Sequence, residues 1–168
     1  VYLETDLSEH STRVWIPFEG PIEGLTLYLR NGRIFKSEFS ERPPAQVDRD
    51  LAFELILESI KYGHQFPHED FLELQGTEFQ KKVWMQILQI PFGQTRTYSE
   101  LADSVGCPRG QRAVAAACGA NPVPLIVPCH RVVGRTHLGG FSADGGTIRK
   151  AQLLSYEQAF ANRQYYLI

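Results

Sequence analysis

One stretch, Val127-Pro128-Cys129-His130-Arg131-Val132-Val133, gathers side chains able to do nucleophilic chemistry. A cysteine among β-branched residues is ordinarily a small, inert hydrophobe. Here Pro128 fixes the backbone just ahead of the sulfur and removes a donor, while His130 and Arg131 bring a titratable ring and a permanent positive charge within two residues. Such neighbours favour the thiolate, the form of cysteine that attacks. These residues alone leave a reactive and a structural thiol equally open. Adjacent residues of an extended chain point to opposite sides, so Cys129 and His130 by themselves do not make the direct pair a cysteine hydrolase needs.

The elements that must hold this stretch can be read around it. Thr77 and Gln80 have capping-box spacing, which predicts a helix from Glu78 to about Gln89 with Phe79, Val83 and Ile87 on its buried side. Thr97 and Glu100 repeat the spacing ahead of a short helix to about Ser104, and Gly106-Cys107-Pro108 breaks it. A further helix should start near Gly110, bury Val114, Ala117 and Cys118, and end at Asn121-Pro122. Two short helices joined by a Gly/Pro turn, the second opening with Arg109 and Arg112, have the outline of a helix-turn-helix. After the cysteine, Gly134 to Gly146 reads as a glycine-rich loop. Ile148 to about Ala159 reads as a last helix, with Leu153 and Leu154 buried and Glu157 on or near its polar side.

The first half reads differently. Val14 to Ile16, Leu25 to Leu29 and Ile34-Phe35 are β-prone runs, and Asn31-Gly32 between two of them is a hairpin signal. An antiparallel sheet is expected, then a loop at Pro43-Pro44. A helix capped by Asp48 should follow, with Phe53, Ile56, Leu57 and Ile60 on one face and Gly63 at its end. Residues 65–76 read as the connection between halves.

The 168 residues are enough for one large or two small domains without metal or disulfide support. Three cysteines, an odd number with no CxxC pair, suit a reducing compartment, so the cytoplasm is expected, or the nucleus of a eukaryote. His10, His64, His68, His130 and His137 fall in no metal-ligand spacing, and no phosphate-cradling or dinucleotide motif is present, so neither metal nor cofactor is expected. No apolar run is long enough for a membrane and no signal-peptide pattern opens the chain, whose Val1 is expected to reflect processing, trimming or renumbering. The net charge of −2 hides an asymmetry: residues 1–78 carry 7 Lys/Arg against 15 Asp/Glu, and residues 79–150 carry 9 against 3. The basic part could track a phosphate backbone; the acidic part is a poor nucleic-acid surface.

The signature around Cys129 resembles that of the O6-alkylguanine-DNA alkyltransferases, the methylated-DNA-protein-cysteine methyltransferase family. Gly93-Gln94-Thr95-Arg96-Thr97-Tyr98, Arg112-Ala113-Val114, Asn121-Pro122, Gly140-Phe141-Ser142, and Lys150 with Leu153-Leu154 ahead of Glu157 are similar to family motifs in order and spacing. The likeness runs from about Phe79 to Glu157; the first half resembles the family only in length and general pattern. It implies an α/β protein in two parts. Residues 1–76 would be a small scaffold domain with an antiparallel sheet, ribonuclease H-like in the family. Residues 77–168 would be a mostly helical, winged helix-turn-helix-like domain that binds DNA and accepts the alkyl group.

The implied reaction is direct repair, the irreversible single-turnover transfer of an alkyl group from O6 of guanine, or O4 of thymine, to Cys129. The base must first leave the duplex. The resemblance makes His130 the acceptor of the thiol proton through a water, Glu157 its orienting partner, Tyr98 a donor to guanine N3 and Asn121 the brace of the active-site turn. Arg112 would fill the gap left by the base, and Arg109, Ala113 and Arg131 would join it on the minor groove of double-stranded DNA. Tyr98, Val132, Phe141 and Ser142 would line the base pocket, Phe141 standing where the family often has Tyr. A monomer acting on DNA and away from membranes is expected. Taken alone, Tyr98 would be a packing residue, Glu157 an exposed carboxylate and Asn121 a helix stop. Two other functions are alternatives: a lesion sensor that binds without reacting, a kind of relative that usually lacks the cysteine, and a helix-turn-helix regulator with a buried cysteine.

Overall fold

Strands β1 (Tyr2–Asp6), β2 (Ser11–Pro17), β3 (Gly24–Arg30) and β4 (Arg33–Phe39) form an antiparallel sheet in sequential order. The structure is a computed structural model and describes residues 2–6, 11–17, 20–40 and 69–164. The helix expected at 48–63, the Pro43-Pro44 loop and His10, His64 and His68 lie outside the described residues. Asn31 and Gly32 both take positive φ, 51° and 74°, between the paired Arg30 and Arg33. Such a two-residue turn matches the twist of its strands.

One face of the sheet carries Val14, Ile16, Leu25, Leu27 and Ile34, all buried. A register shift at Tyr28/Leu29 moves the inward positions of β4, so that Ile34 and Ser37 are both buried. The free edge of β4 does not face water: Glu73 N donates to Ile34 O and Ser37 N donates to Pro122 O. An edge covered in this way does not template pairing with another chain.

Helices α1 (Glu78–Leu88), α2 (Tyr98–Ser104), α3 (Gln111–Gly119) and α4 (Gly146–Gln164) follow, with a two-residue parallel pair, β5 (Arg96–Thr97) and β6 (Val132–Val133), and 3-10 turns at Glu69–Phe71 and Cys129–Arg131. Both expected capping boxes form, at Thr77 with Gln80 and at Thr97 with Glu100. Val83, Trp84 and Ile87 of α1, Leu101 of α2, Val114 and Ala117 of α3 and Leu153 of α4 join the sheet residues in one continuous core. Each large side chain so buried contributes roughly 1.5–3 kcal/mol. Trp84 Nε1 also donates to Ala117 O at 2.8 Å, tying α1 to α3. The chain is of mixed α/β class, with a small antiparallel sheet and helices, as the sequence led us to expect. No helix among the described residues is long and apolar enough to cross a membrane.

Candidate active site

Pairing of Arg96 with Val132 and of Thr97 with Val133 sets the start of α2 beside the cysteine turn. Thr97 caps α2, so Tyr98, its first residue, is held facing that turn. Cys129 begins a 3-10 turn, Cys129–Arg131, in which Arg131 N donates to Pro128 O. The chain there is not extended. Cys129 meets Asn121, whereas His130 and Arg131 converge on Glu157.

Cys129 Sγ accepts a hydrogen bond from Asn121 Nδ2 at 3.2 Å. The same amide donates to Val127 O, while Asn121 Oδ1 accepts from Val123 N. Asn121 therefore bridges the end of α3 to the turn. Leu125, between them, adopts φ 73°, a left-handed conformation that costs a residue with a side chain about 1–2 kcal/mol. That cost persists only where surrounding contacts over-determine the backbone.

His130 and Glu157 form a buried pair, His130 Nε2 to Glu157 Oε1 at 2.7 Å. Arg131 turns inward to the same carboxylate, with Nε 3.0 Å from both oxygens and Nη2 2.9 Å from Oε1, and its Nη1 donates to Ile90 O. Gly93, whose φ of 73° aims its N–H into the site, donates to Glu157 Oε2. Burial would raise the Glu157 carboxyl, but His130 and Arg131 outweigh it and hold the group at about 2. The carboxylate is ionised and only accepts, so the imidazole presents Nε2–H to it. A neutral ring with Nε2 protonated carries its lone pair on Nδ1, which is buried without a hydrogen-bond partner. Burial lowers the pKa of His130 against the pull of Glu157, so the resting ring is neutral.

These contacts change the reading of the thiol. His130 and Arg131 are neighbours in sequence, yet the ring is neutral and bonded to Glu157, and the guanidinium charge is paired with the same carboxylate. Burial pushes the Cys129 thiol up, opposed by the Asn121 hydrogen bond and by Lys150. The resting group is a thiol, and its activation requires removal of the proton. Lys150, fully buried, donates to Val132 O at 2.6 Å and Gly140 O at 3.1 Å and lies 5.8 Å from the centre of the Tyr98 ring. Burial lowers its pKa, opposed by Cys129 and Cys118 in so far as either becomes a thiolate.

A cleft of about 280 Å³ opens onto Cys129 and is lined by Tyr98, Cys118, Gly119, Phe141 and Ser142. Tyr98, raised to about 12 chiefly by burial, enters it as a protonated donor. Its phenol packs on Gly139, where a Cβ would lie 2.6 Å from the oxygen. Phe141 stacks on Phe39 of β4 with centroids 6.2 Å apart, so the sheet backs one wall. A second cleft, about 510 Å³, reaches Cys129 from the β4 side past Ser37, Pro122 and Pro124. Ala115 of α3 also lines the first cleft; outside both, α3 exposes Arg112, Ala113 and Ala116, and Arg109 is exposed just before it at φ 70°.

Cys129, His130, Glu157, Asn121, Tyr98, Phe141 and Ser142 are thus brought together. Three expectations fail. Arg131 is not on the outer surface, because its guanidinium is bound to Glu157 and Ile90 O. Glu157 is 3% exposed and not on a polar face. Val132 is fully buried, and its carbonyl is occupied by Lys150 instead of lining the cleft. The roles of Lys150, Gly93 and Ser37 were missed. Lys150, Leu153 and Glu157 are spaced i, i+3, i+7, so the burial of Leu153 implied that of the other two.

Residues 78–159 match the family model described as 6-O-methylguanine DNA methyltransferase, DNA binding domain. A probable methylated-DNA-protein-cysteine methyltransferase of Acanthamoeba polyphaga mimivirus is 59% identical over 87 residues, 52% of this chain and 57% of that protein. The chain spans about half the length of the curated relatives it matches. Solved structures extend the likeness to the first half: Mycobacterium tuberculosis OGT in complex with DNA is 36% identical, covers 87% of this chain and 93% of its own, and superposes with a TM-score of 0.68. The chain belongs to the 6-O-methylguanine DNA methyltransferase family. A second structure, of the Mycobacterium tuberculosis O6-methylguanine methyltransferase, agrees, with 34% identity, 89% and 93% coverage and a TM-score of 0.70. In this methyltransferase-family chain both alignments extend well beyond residues 78–159, which the family model matches.

Proposed function

We propose that this chain repairs DNA directly by moving an alkyl group from O6 of guanine, or O4 of thymine, to Cys129, once per molecule. The observation that carries the reading is a buried thiol at the floor of a cleft, facing the protonated phenol of Tyr98, next to a histidine whose Nδ1 is a free base. The thiol proton passes through a water to His130 Nδ1, and the imidazolium formed is stabilised by Glu157. Sulfur attacks the alkyl carbon as its bond to O6 breaks. The leaving guanine takes a proton at N3 from Tyr98, and the tyrosinate so formed balances the imidazolium that holds the thiol proton, so the step ends with a thioether and no net change of charge. A thioether carbon offers no route to hydrolysis, which makes the transfer irreversible.

The partner in this reading is double-stranded DNA, met through the minor groove by a monomer, in the cytoplasm or a eukaryotic nucleus. α2 and α3 serve as the helix-turn-helix and the loop after β6 as its wing, against a ribonuclease H-like sheet domain that ends near residue 76. The exposed alanines of α3 permit close approach of a sugar-phosphate wall, and Arg112 and Arg109 supply charge, with Arg112 filling the space of the flipped base. Extrusion costs a few kcal/mol and is least for a mispaired base, which favours the lesion.

The test is intact-mass and peptide-mass analysis after incubation with a duplex carrying one O6-methylguanine. One methyl on the Cys129 peptide, saturating at one per protein and absent in Cys129→Ser, is expected. Lesion binding without any gain would replace repair by a non-reactive sensor, and neither gain nor lesion preference would leave a helix-turn-helix binder.

A further inference from the structure

We infer that β4 is a working part of the acceptor site, with Ser37 the positioning residue that holds the Asn121 amide on Cys129. The inference rests on Cys129 being the acceptor, as proposed above. Ser37 is 3% exposed, a polar residue at a core position of the sheet. Its N–H donates to Pro122 O at 3.0 Å and its hydroxyl to Pro124 O at 2.7 Å. Both acceptors lie in the segment that begins with Asn121 and returns to the thiol. That segment has Pro at 122 and 124 and the left-handed Leu125, so it is stiff and strained together.

Within the segment, Val127 N donates to Val123 O and Asn121 Nδ2 donates to Val127 O and to Cys129 Sγ. These bonds fix its internal shape but not its position relative to the rest of the molecule. Ser37 supplies that anchor with two directional bonds from a strand that is itself locked into the sheet. Removing the hydroxyl leaves Pro124 O buried and unsatisfied, and the segment relaxes away from the geometry that aims Asn121 at sulfur. The Asn121 bond is the largest of the influences that oppose burial at the thiol, ahead of Lys150, so losing the aim makes the thiol a weaker acid.

Three measurements on the full chain test this. Alkylation by iodoacetamide is followed against pH at the Cys129 peptide, which reads the thiol without DNA and separates Cys129 from Cys107 and Cys118. Ser37→Ala should move the midpoint upward, and Ser37→Thr, which keeps the hydroxyl, should restore it. Transfer from an O6-methylguanine duplex should slow about tenfold in Ser37→Ala, and in a double-mutant cycle this loss should largely vanish when Asn121 is already Ala. If Ser37→Ala proves too unstable to assay, Ser37→Cys carries the same comparisons. A melting temperature that falls while the midpoint stays fixed, or losses that simply add with Asn121→Ala, overturns the positioning role. If the unaltered protein takes no methyl, the repair reading fails on its own, and the iodoacetamide midpoints still decide whether Ser37 acts on the thiol.

Discussion

The sheet and the helical part bury different things. Among the described residues, four polar side chains are buried: His130, Lys150 and Glu157 in the helical part and Ser37 in the sheet. The sheet is held by alternating apolar side chains and a tight turn, which need nothing beyond volume and β propensity. The helical part wraps an apolar frame round a carboxylate that accepts from an imidazole, a guanidinium and a backbone N–H. A buried ionic cluster of this kind contributes little that well-packed apolar residues could not, yet breaking it is costly. Stability in the sheet is therefore spread out, whereas in the helical part it is concentrated on a few groups that also do the chemistry.

The largest break in this contrast is Arg131→Ala. It strips Glu157 of its two-pronged partner and leaves Ile90 O without its donor. A loss of about 3–5 kcal/mol in urea unfolding is expected, with transfer abolished as His130 loses its fixed partner. Were Arg131 on the DNA surface, the same change would alter stability by only about 0.5 kcal/mol and would weaken binding in a salt-dependent way.

Acid should find the same cluster first. The Glu157 carboxyl sits at about 2 against an ordinary 4.5, so the unfolded chain takes up a proton through this window while the folded protein does not. The stabilisation is complete above 4.5 and is lost as pH falls towards 2. His130 adds in the same direction: burial lowers its pKa below 6.5, so protonation favours the unfolded chain as pH drops past that value. Urea midpoints should fall steadily from neutral pH into acid, and Glu157→Gln should be less stable at neutral pH but flatter across the range. An equally steep profile in Glu157→Gln would place the acid sensitivity elsewhere.

The two parts also differed in how far they could be read from the chain. The hairpin at Asn31-Gly32, both capping boxes and the buried Val114, Ala117 and Cys118 follow from local rules, and the described elements obey them. Cys129, Asn121 and Tyr98 were legible as a group because three motifs kept their order. What stayed hidden was direction. Arg131 follows the cysteine and is basic, which reads as a surface group, until the 3-10 turn swings it towards Glu157 of α4, 26 residues away. Ser37 was hidden by the shift at Tyr28/Leu29, which breaks the alternation that would have marked it as inward. The spacing of Lys150, Leu153 and Glu157 was available, but burying two charges on one face is plausible only once their partners from other elements are known.

Two changes of similar, smaller cost sharpen the comparison most. Thr97→Ala removes the cap of α2, where Thr97 Oγ1 accepts from Glu100 N and donates to its carboxylate, and about 1 kcal/mol of stability should go. Gly32→Ala puts a side chain at φ 74° with open space around the new methyl, so only backbone strain of about 1 kcal/mol is added. Both should lower the melting temperature by a few degrees for a chain of this size. Their effect on transfer should differ, because Tyr98 is the first residue of α2 and its phenol faces the cleft, whereas the Asn31-Gly32 turn touches nothing in the site. Single-turnover rates at a temperature where both variants are folded should be reduced several-fold in Thr97→Ala and unchanged in Gly32→Ala. Equal rates in the two would mean that Tyr98 is held by its packing on Gly139 and Lys150, and that the cap supports the helix without aiming the phenol.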